Sequence, residues 1–168
     1  MTLCGGIMNP KKYLKWCVKQ NKGIKIISES ITLQKAYLKK SEEALKSMNV
    51  NATAGINEWV ISTSYYAKYF AVYALLSRIG IKCEIHDCTV ALFEYLFSSI
   101  IPSNFVQELQ QSKDDRVDAQ YYTQTIQINP KKLLADTTNF VLEIQKIIDK
   151  LTSTEIATLR GKITSAIN

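Results

Sequence analysis

The stretch SYYAKYFAVYALLSRIG, residues 64–80, decides the fold class of this chain. It contains four tyrosines and one lysine, and its apolar side chains recur at three- and four-residue steps within a predicted helix over residues 56–79. A helix that is apolar around most of its girth lies at the centre of a bundle, and Gly80 is a typical helix stop. The stretch therefore predicts the central helix of an all-α protein.

Two apolar stripes run along this predicted helix. The first consists of Trp59, Thr63, Tyr66, Ala67, Phe70, Ala71, Ala74 and Leu75, and the second of Tyr65, Tyr69, Val72, Leu76 and Ile79. The small alanines let neighbouring helices approach closely. We expect four members of the first stripe to fill the core rather than to line a ligand groove: Tyr66, Ala67, Phe70 and Ala74.

The rest of the sequence predicts further helices joined by short loops. The chain has 168 residues, of which 46% are hydrophobic, and only six glycines and three prolines, which is few for a sheet protein with many turns. The further helices are predicted over residues 10–20, 31–48, 86–98, 102–122, 130–150 and 152–167, with some strand character at residues 24–27. We expect one bundle at residues 31–150, preceded by an extension with a short helix at residues 1–30 and followed by a C-terminal helix at residues 151–168.

Hydropathy and cysteine content favour a cytoplasmic protein with reduced cysteines. No run of 18 apolar residues is present, so no membrane span is expected, and the N-terminus lacks the apolar stretch of a secretory signal. The four cysteines are too few and too scattered for a disulfide scaffold: Cys4, Cys17, Cys83 and Cys88. Cys83, His86 and Cys88 supply three metal-type ligands, but no second cluster completes a tetrahedral site. We therefore expect ordinary thiols, with no metal and no cofactor.

Positive charge is concentrated at the start of the chain. The net charge is +6, and the first 50 residues hold ten lysines and three glutamates, a balance of +7 that leaves −1 for the remainder. Such asymmetry is typical of proteins attracted to nucleic acid or to an acidic partner. Solvated lysines on amphipathic helices are the alternative.

Three segments, taken in order, resemble the HEPN domains, specifically the small stand-alone prokaryotic and archaeal members. STSYYAKYFAVYALLSRIGIK, residues 62–82, resembles the helix with the paired-tyrosine signature. IHDCTVALFEYLF, residues 85–97, resembles the next helix, which begins with a histidine, and DDRVDAQYY, residues 114–122, resembles the motif that ends the third. With AYLKKSEEALKSM and MNPKKYLKWCVKQNKGI upstream, the resemblance covers about residues 9–150.

The resemblance implies an antiparallel up-and-down four-helix bundle with extra N- and C-terminal helices, often dimeric, that binds nucleotides or RNA. Many members of the family are metal-independent ribonucleases, or toxins paired with a minimal nucleotidyltransferase. Their nuclease motif is an arginine followed after four to six residues by a histidine. Here the arginine is Arg116, and Tyr121 stands in the place of the histidine. Tyrosine, with a pKa near 10, is a poor base at neutral pH.

The geometry of a helix separates Arg116 from Tyr121. Five residues turn a regular helix by about 500°, a net rotation of roughly 140°, so the two side chains share a site only if the helix frays or two chains of a dimer contribute. Two interpretations of Arg116 stay open. It either joins a surface charge network with neighbouring aspartates or grips a phosphate with two hydrogen bonds.

Other candidate site residues lie on the two preceding helices. His86 is the only histidine, and it is interpreted either as a helix-start residue with local hydrogen bonds or as a catalyst. Ser64 and Lys68 are four residues apart and share a face of the central helix, so the lysine should reach solvent or face an anion. The predicted ligand groove is lined by five residues: Ser64, Tyr65, Lys68, Arg116 and Tyr121.

Three functional hypotheses follow. The first is a homodimeric cytoplasmic module that holds RNA or a nucleotide with Arg116, Lys68 and the basic N-terminal third, alongside a nucleotidyltransferase partner. The second is a metal-independent ribonuclease in which Tyr121 or His86 replaces the missing histidine. The third is an adaptor whose groove takes a helix of a partner protein, with no role in nucleic-acid binding.

Overall fold

The computed structural model of the chain describes residues 9–122 and 127–168. Within these residues the regular structure is helical, apart from two strands of two residues each, so the all-α prediction is confirmed. The elements in order are α1 (Pro10–Lys19), β1 (Lys25–Ile26), α2 (Ile31–Thr53), α3 (Asn57–Arg78), β2 (Ile81–Lys82), α4 (His86–Phe97), α5 (Phe105–Tyr121), α6 (Pro130–Lys150) and α7 (Ser153–Ile167). No helix in the described ranges is both long and apolar enough to cross a bilayer.

Two helix boundaries differ from the prediction by several residues. Helix α2 continues five residues beyond residue 48, because its polar side chains bond back within the helix: Asn51 donates to the Ser47 carbonyl at 2.8 Å and Thr53 to the Asn49 carbonyl at 3.0 Å. The chain turns only at Gly55, which has φ +72°. Helix α5 begins three residues later than predicted, after a turn that starts at Pro102.

Four helices form an up-and-down bundle around α3. On the α2 side, Ser30 N donates to Ser77 O at 3.2 Å and Ser41 Oγ to Ala67 O at 2.7 Å. Residue numbers rise along α2 while they fall along α3, so the two helices are antiparallel. Helix α5 is antiparallel to α3 by the same criterion, because Tyr66 meets Arg116 and Lys68 meets Ser112.

Helix α6 runs parallel to α3. Ser64 bonds to Thr137 at 2.7 Å, and the Lys68 ammonium lies 5.9 Å from the Phe140 ring centroid, so residue numbers rise together. Helix α4 lies between α3 and α5 in the chain and packs against α5, α1 and α7. The predicted up-and-down arrangement with additional N- and C-terminal helices is therefore confirmed.

Helix α3 is the central helix, and both of its apolar stripes contain fully buried residues. Ala67 and Ala74 of the first stripe are fully buried, and so are Tyr65, Val72 and Leu76 of the second. Part of the first stripe lies at the edge of the core. There the core prediction is wrong in part, since Tyr66 and Phe70 are only half-buried. Trp59, which also belongs to this stripe, is 54% exposed.

The expectation of free thiols is wrong for two cysteines. Cys17 of α1 and Cys88 of α4 form a disulfide, with their Cα atoms 5.9 Å apart. Their 71-residue separation gives no signal in the sequence, because only the packing of α1 on α4 brings them together. Cys83 is a free, buried thiol, and Cys4 lies outside the described residues.

A tight turn at Gly80 connects the end of α3 to strand β2, and α7 is hydrogen-bonded to this turn. Gly80 has φ +70°, and strand β2 pairs antiparallel with β1 next to it. From α7, Arg160 Nη1 donates to the carbonyls of Ile79 at 2.7 Å, Ile27 at 3.1 Å and Gly80 at 3.3 Å. The guanidinium thereby gives a partner to the Ile79 carbonyl, which the end of α3 leaves without one.

Candidate functional site

Side chains from three helices meet on one side of α3. Tyr65 and Tyr66 come from α3, His86 from the first turn of α4 and Arg116 from the last part of α5. The Tyr65 hydroxyl is hydrogen-bonded to His86 Nδ1. The Arg116 guanidinium lies 5.3 Å from the Tyr65 ring centroid and 5.7 Å from that of Tyr66. We refer to these four residues as the Arg116 cluster.

Arg116 is held in place by neutral groups. Its Nη1 donates to Gln120 Oε1 at 3.1 Å and to the Tyr66 hydroxyl at 3.3 Å, and attraction to the two aromatic rings adds to these bonds. Its Nε is buried and has no partner among the residues described. A guanidinium has five N–H donors, so the cluster leaves donors for a further acceptor.

The charge network proposed for Arg116 is absent from the described part of the chain. Asp114 instead accepts from Gln110 and pairs with Lys113, and Asp115 accepts from Gln111. Across residues 9–122 and 127–168, no carboxylate forms an ion pair with Arg116. A positive group beside aromatic rings and without a counter-ion is suited to bind an anion.

His86 does not behave as a simple helix-start residue. Helix α4 has no side-chain cap at its start, and the imidazole turns inward to Tyr65. It stacks on the Tyr69 ring with centroids 4.5 Å apart and planes 14° apart. Burial, followed by the positive charge of Arg116, lowers the pKa of His86 below its ordinary value of 6.5. The imidazole is therefore neutral at pH 7.

The tyrosines around His86 keep their protons. Burial raises the pKa of Tyr65 far above 10, and it raises the pKa of Tyr69 to about 12. A neutral imidazole has one donor and one acceptor nitrogen. The Tyr65 contact therefore has two forms: the phenol donates to Nδ1, or Nδ1–H donates to the phenol oxygen and leaves the lone pair on Nε2.

A second cation lies beside the cluster. Lys113 of α5 forms an ion pair with Asp87, the neighbour of His86 in the first turn of α4. The lysine side chain is mostly covered, whereas that of Asp87 is exposed. This pair joins α4 to α5 next to Arg116, and sequence reasoning did not identify Lys113, because its partner is 26 residues away.

Two predicted groove residues are bound inside the bundle instead. Ser64 is buried and bonds to Thr137 of α6 at 2.7 Å. Lys68 is buried too, with its ammonium 2.8 Å from Ser112 Oγ and 2.9 Å from Glu108 Oε1. Lys68 lies at the base of an open depression of about 400 Å³ between α5 and α6. The anion predicted opposite this lysine is thus a carboxylate of its own chain.

Tyr121 lies apart from the cluster. It is the last residue of α5 and is 73% exposed. No hydrogen bond or cation–ring contact within the described residues joins it to Arg116, in keeping with the rotation expected from five helical positions. Of the five predicted groove residues, the structure brings together Tyr65 and Arg116, with His86 added from α4.

The Cys83, His86 and Cys88 set does not form a metal site. Cys88 is bonded to Cys17, so its sulfur is not available as a thiolate ligand. No group of three or more metal-type side chains comes together in the part of the chain that the structure describes.

Comparison with known proteins agrees with this architecture. A family model, the HEPN domain, matches residues 34–151, which run from the first turn of α2 to the end of α6 and make up more than half of the chain. No curated protein matches the chain. The matched residues contain the four-helix bundle, α4 and the whole Arg116 cluster. The chain therefore belongs to the HEPN domain family.

Proposed function

We propose that this protein binds the phosphate of a nucleotide or of RNA at the Arg116 cluster. Membership of the HEPN family indicates a nucleotide- or RNA-related role in general. The observation that carries the specific proposal is the state of Arg116, which is held over two tyrosine rings by neutral groups and has no carboxylate partner in the described residues. A phosphate would supply the missing negative charge and accept from the free guanidinium donors.

The neighbours of Arg116 favour an anion over a cation. When the Tyr65 phenol donates to Nδ1, neutral His86 keeps a free Nε2–H donor, and Lys113 on the helix of Arg116 adds N–H donors although it is paired with Asp87. Tyr66, which is only half-buried, provides an aromatic ring next to these donors. A nucleotide has a phosphate that accepts hydrogen bonds and a planar base that can stack on an aromatic ring. This match supports a nucleotide or RNA as the ligand.

Binding of labelled RNA and of a mononucleotide to purified protein tests the proposal. Arg116→Ala should weaken both by roughly tenfold or more, while Arg116→Lys should recover only part of the affinity because an ammonium does not bind bidentately. Arg78→Ala is the matched control, since Arg78 pairs with Glu29 at the other end of α3. Affinity should also fall steeply with salt. Unchanged binding by Arg116→Ala would contradict the site.

A metal-independent ribonuclease is the second candidate, favoured by the position of His86. RNA cleavage without a metal needs a group that takes the proton of the 2′-hydroxyl, and a neutral imidazole beside Arg116 has the suitable acid–base chemistry. Labelled RNA incubated with the protein and a chelator tests this function. Cleavage that disappears in both His86→Gln and Arg116→Ala would establish the enzyme. If the RNA is bound normally but is not cleaved, binding is the function and the ribonuclease is ruled out.

The assembly and location of the protein are further parts of the proposal. Family resemblance supports a homodimer that works alongside a minimal nucleotidyltransferase, in a toxin–antitoxin type system in the cytoplasm. Sedimentation and co-purification with the product of a neighbouring gene test these points.

The Cys17–Cys88 disulfide weighs against a reducing compartment, because disulfides persist mainly in oxidising ones. Absent or salt-insensitive RNA binding would instead favour the protein-interaction adaptor.

A further inference from the structure

Helix α1 lies outside the residues that the family model matches, yet it is attached firmly to the start of α4. The Cys17–Cys88 disulfide joins the two helices, and the Lys22 carbonyl accepts from Glu84 N at 2.9 Å. Leu14 and Cys17 are buried on the inner face of α1. The opposite face is therefore held in a fixed position and is open to solvent.

The solvent-facing side of α1 combines an aromatic pair with lysines. Trp16 is 48% exposed, and its ring stacks on that of Tyr13 with centroids 5.6 Å and planes 14° apart. At about 100° per residue, Lys12 and Lys19 lie within about 60° of Trp16 and Lys15 lies about 100° from it, on the same solvent-facing side of α1, and all three are exposed. We call these five residues the α1 platform.

The lysines of the α1 platform have no ion-pair partner in the described residues. Helix α1 contains no acidic residue, and among the ion pairs of the described residues none involves its lysines. An exposed indole surrounded by unpaired lysines presents an apolar plane inside a positive field. A polyanion with flat apolar groups along it is complementary to both features.

The α1 platform adjoins the Arg116 cluster. Cys88 directly follows Asp87 in the first turn of α4, so the disulfide brings α1 to the same end of that helix. The Asp87 carboxylate, which is paired with Lys113 of α5, is also close enough to Tyr13 to contribute, after burial, to raising its pKa. The platform and the Arg116 cluster thus lie on either side of the start of α4, where Asp87 is paired with Lys113.

We propose that the α1 platform binds single-stranded RNA, with an unpaired base stacked on Trp16 and the backbone phosphates beside the three lysines. The inference rests on the proposed function and extends it, since the same strand would place another phosphate at Arg116. Single-stranded RNA fits better than a duplex, because the bases of a duplex are stacked on each other and offer no free face to an indole.

Affinity for a single-stranded RNA of about a dozen nucleotides, within the usual site size of such proteins, tests the stacking step. Trp16→Ala should weaken binding roughly tenfold, and Trp16→Phe should retain most of it, because a phenyl ring still stacks. Trp59→Ala is the matched control: this tryptophan is equally exposed at the start of α3 and should have no effect. In a Trp59→Phe protein, whose tryptophan emission comes from Trp16 alone, single-stranded RNA should quench this emission and duplex RNA should not.

Two double variants with the same loss of charge test the electrostatic step. Lys15→Ala with Lys19→Ala should weaken binding and reduce the slope of log affinity against log salt by roughly 1.4, or about 0.7 for each lost phosphate contact. Lys35→Ala with Lys46→Ala, two exposed positions on α2, should change the slope little. Equal effects of the two pairs would show that only net charge matters and would overturn the platform.

The outcomes separate this inference from the function on which it rests. Trp16→Ala should leave mononucleotide binding unchanged, whereas Arg116→Ala should weaken the binding of both ligands. If RNA binding depends on Arg116 but not on Trp16, the proposal for the α1 platform is wrong and the proposal for the Arg116 cluster stands. If Arg116→Ala binds RNA as tightly as the unmodified protein does, the proposed function is wrong.

Discussion

The ammonium nitrogen of Lys68 lies 2.9 Å from Oε1 of Glu108 where α3 packs against α5. The lysine side chain is 2% exposed and that of the glutamate 24%. Glu108 Oε1 accepts no well-aligned hydrogen bond. The two groups still attract each other, because the attraction between opposite charges does not depend on hydrogen-bond alignment. Both residues line the depression between α5 and α6, but Lys68 is the buried member of the pair and Glu108 is the member that reaches solvent.

This asymmetry predicts unequal effects of removing either charge. Glu108→Gln should lower the free energy of unfolding by about 3 kcal/mol, because it leaves a buried ammonium without a counter-charge. Lys68→Met should cost less, since methionine fills a similar volume and Glu108 keeps access to water. Urea denaturation of both variants measures the difference. A larger loss for Lys68→Met would contradict the assignment of the buried partner.

The lowered pKa of His86 predicts how stability depends on pH. An unfolded imidazole takes up a proton near pH 6.5, whereas folded His86 resists protonation. The unfolded state binds more protons below that pH, so this contribution is complete above about pH 6.5 and is lost as the pH falls through it towards the folded pKa. Urea denaturation at pH 7.5 and 5.5 should show the fall, and His86→Gln should reduce it.

The same pKa is directly measurable, because His86 is the only histidine of the chain. Its imidazole C–H resonances should titrate with a midpoint below 6.5. Arg116→Ala should move the midpoint upwards, since the guanidinium charge is one of the causes of the lowered pKa. A midpoint at or above 6.5 in the unmodified protein would mean that the imidazole is not buried against Tyr65 and Tyr69.

Three glycine-to-alanine variants separate backbone strain from steric overlap. At Gly80, φ is +70° and an added Cβ would lie 1.9 Å from Arg160 Nη1 and 2.6 Å from the Ile27 carbonyl oxygen. Gly55 has φ +72° but open space around it, and Gly161 lies within α7 with nothing near. In thermal denaturation, Gly80→Ala should lose the most stability, Gly55→Ala about 1 kcal/mol, and Gly161→Ala should gain roughly 0.5–1 kcal/mol. Equal losses at Gly80 and Gly55 would rule out the overlap.

The disulfide predicts that reducing agent destabilises the folded protein. Cross-linking residues 71 positions apart restricts the unfolded chain, and its loss should cost about 4 kcal/mol in the chain-entropy model. Cys17→Ser with Cys88→Ser should reproduce the effect of reducing agent, and Cys83→Ser should not.

Thiol titration supplies the independent check on the disulfide. In denaturant without reducing agent, no more than two of the four cysteines should react. Four reactive thiols in freshly isolated protein would show that Cys17 and Cys88 are reduced.

Local signals were sufficient to predict the helices. Asn9 and Asn129 accept hydrogen bonds from the first turns of α1 and α6, each followed by a proline, and Gly80 ends α3 as expected. The end of α2 was misread because its asparagines resemble a turn, whereas in the helix Asn51 bonds to a carbonyl one turn earlier. Periodicity and capping are properties of neighbours in sequence, and therefore one sequence reveals them.

The candidate site depends on contacts that no local pattern encodes. Tyr65, His86 and Arg116 were each identified separately, but Tyr65 meets His86 across 21 positions, and Arg116 meets Tyr66 across 50. A lone lysine on an apolar helix predicted a facing anion, yet nothing in the spacing identified Glu108. Side chains that are distant in sequence become partners only when α4 and α5 pack on α3.

The flanking helices have a practical consequence for anyone who expresses part of this protein. Leu14 of α1, together with Ile156 and Ile163 of α7, belongs to the same core cluster as α3 and α4. A fragment cut at the boundaries of the family match would lack α1 and α7 and would expose the apolar face of α4 that they cover. Exposed apolar patches of this kind promote aggregation. Crystallisation or screening efforts should therefore keep both ends of the chain.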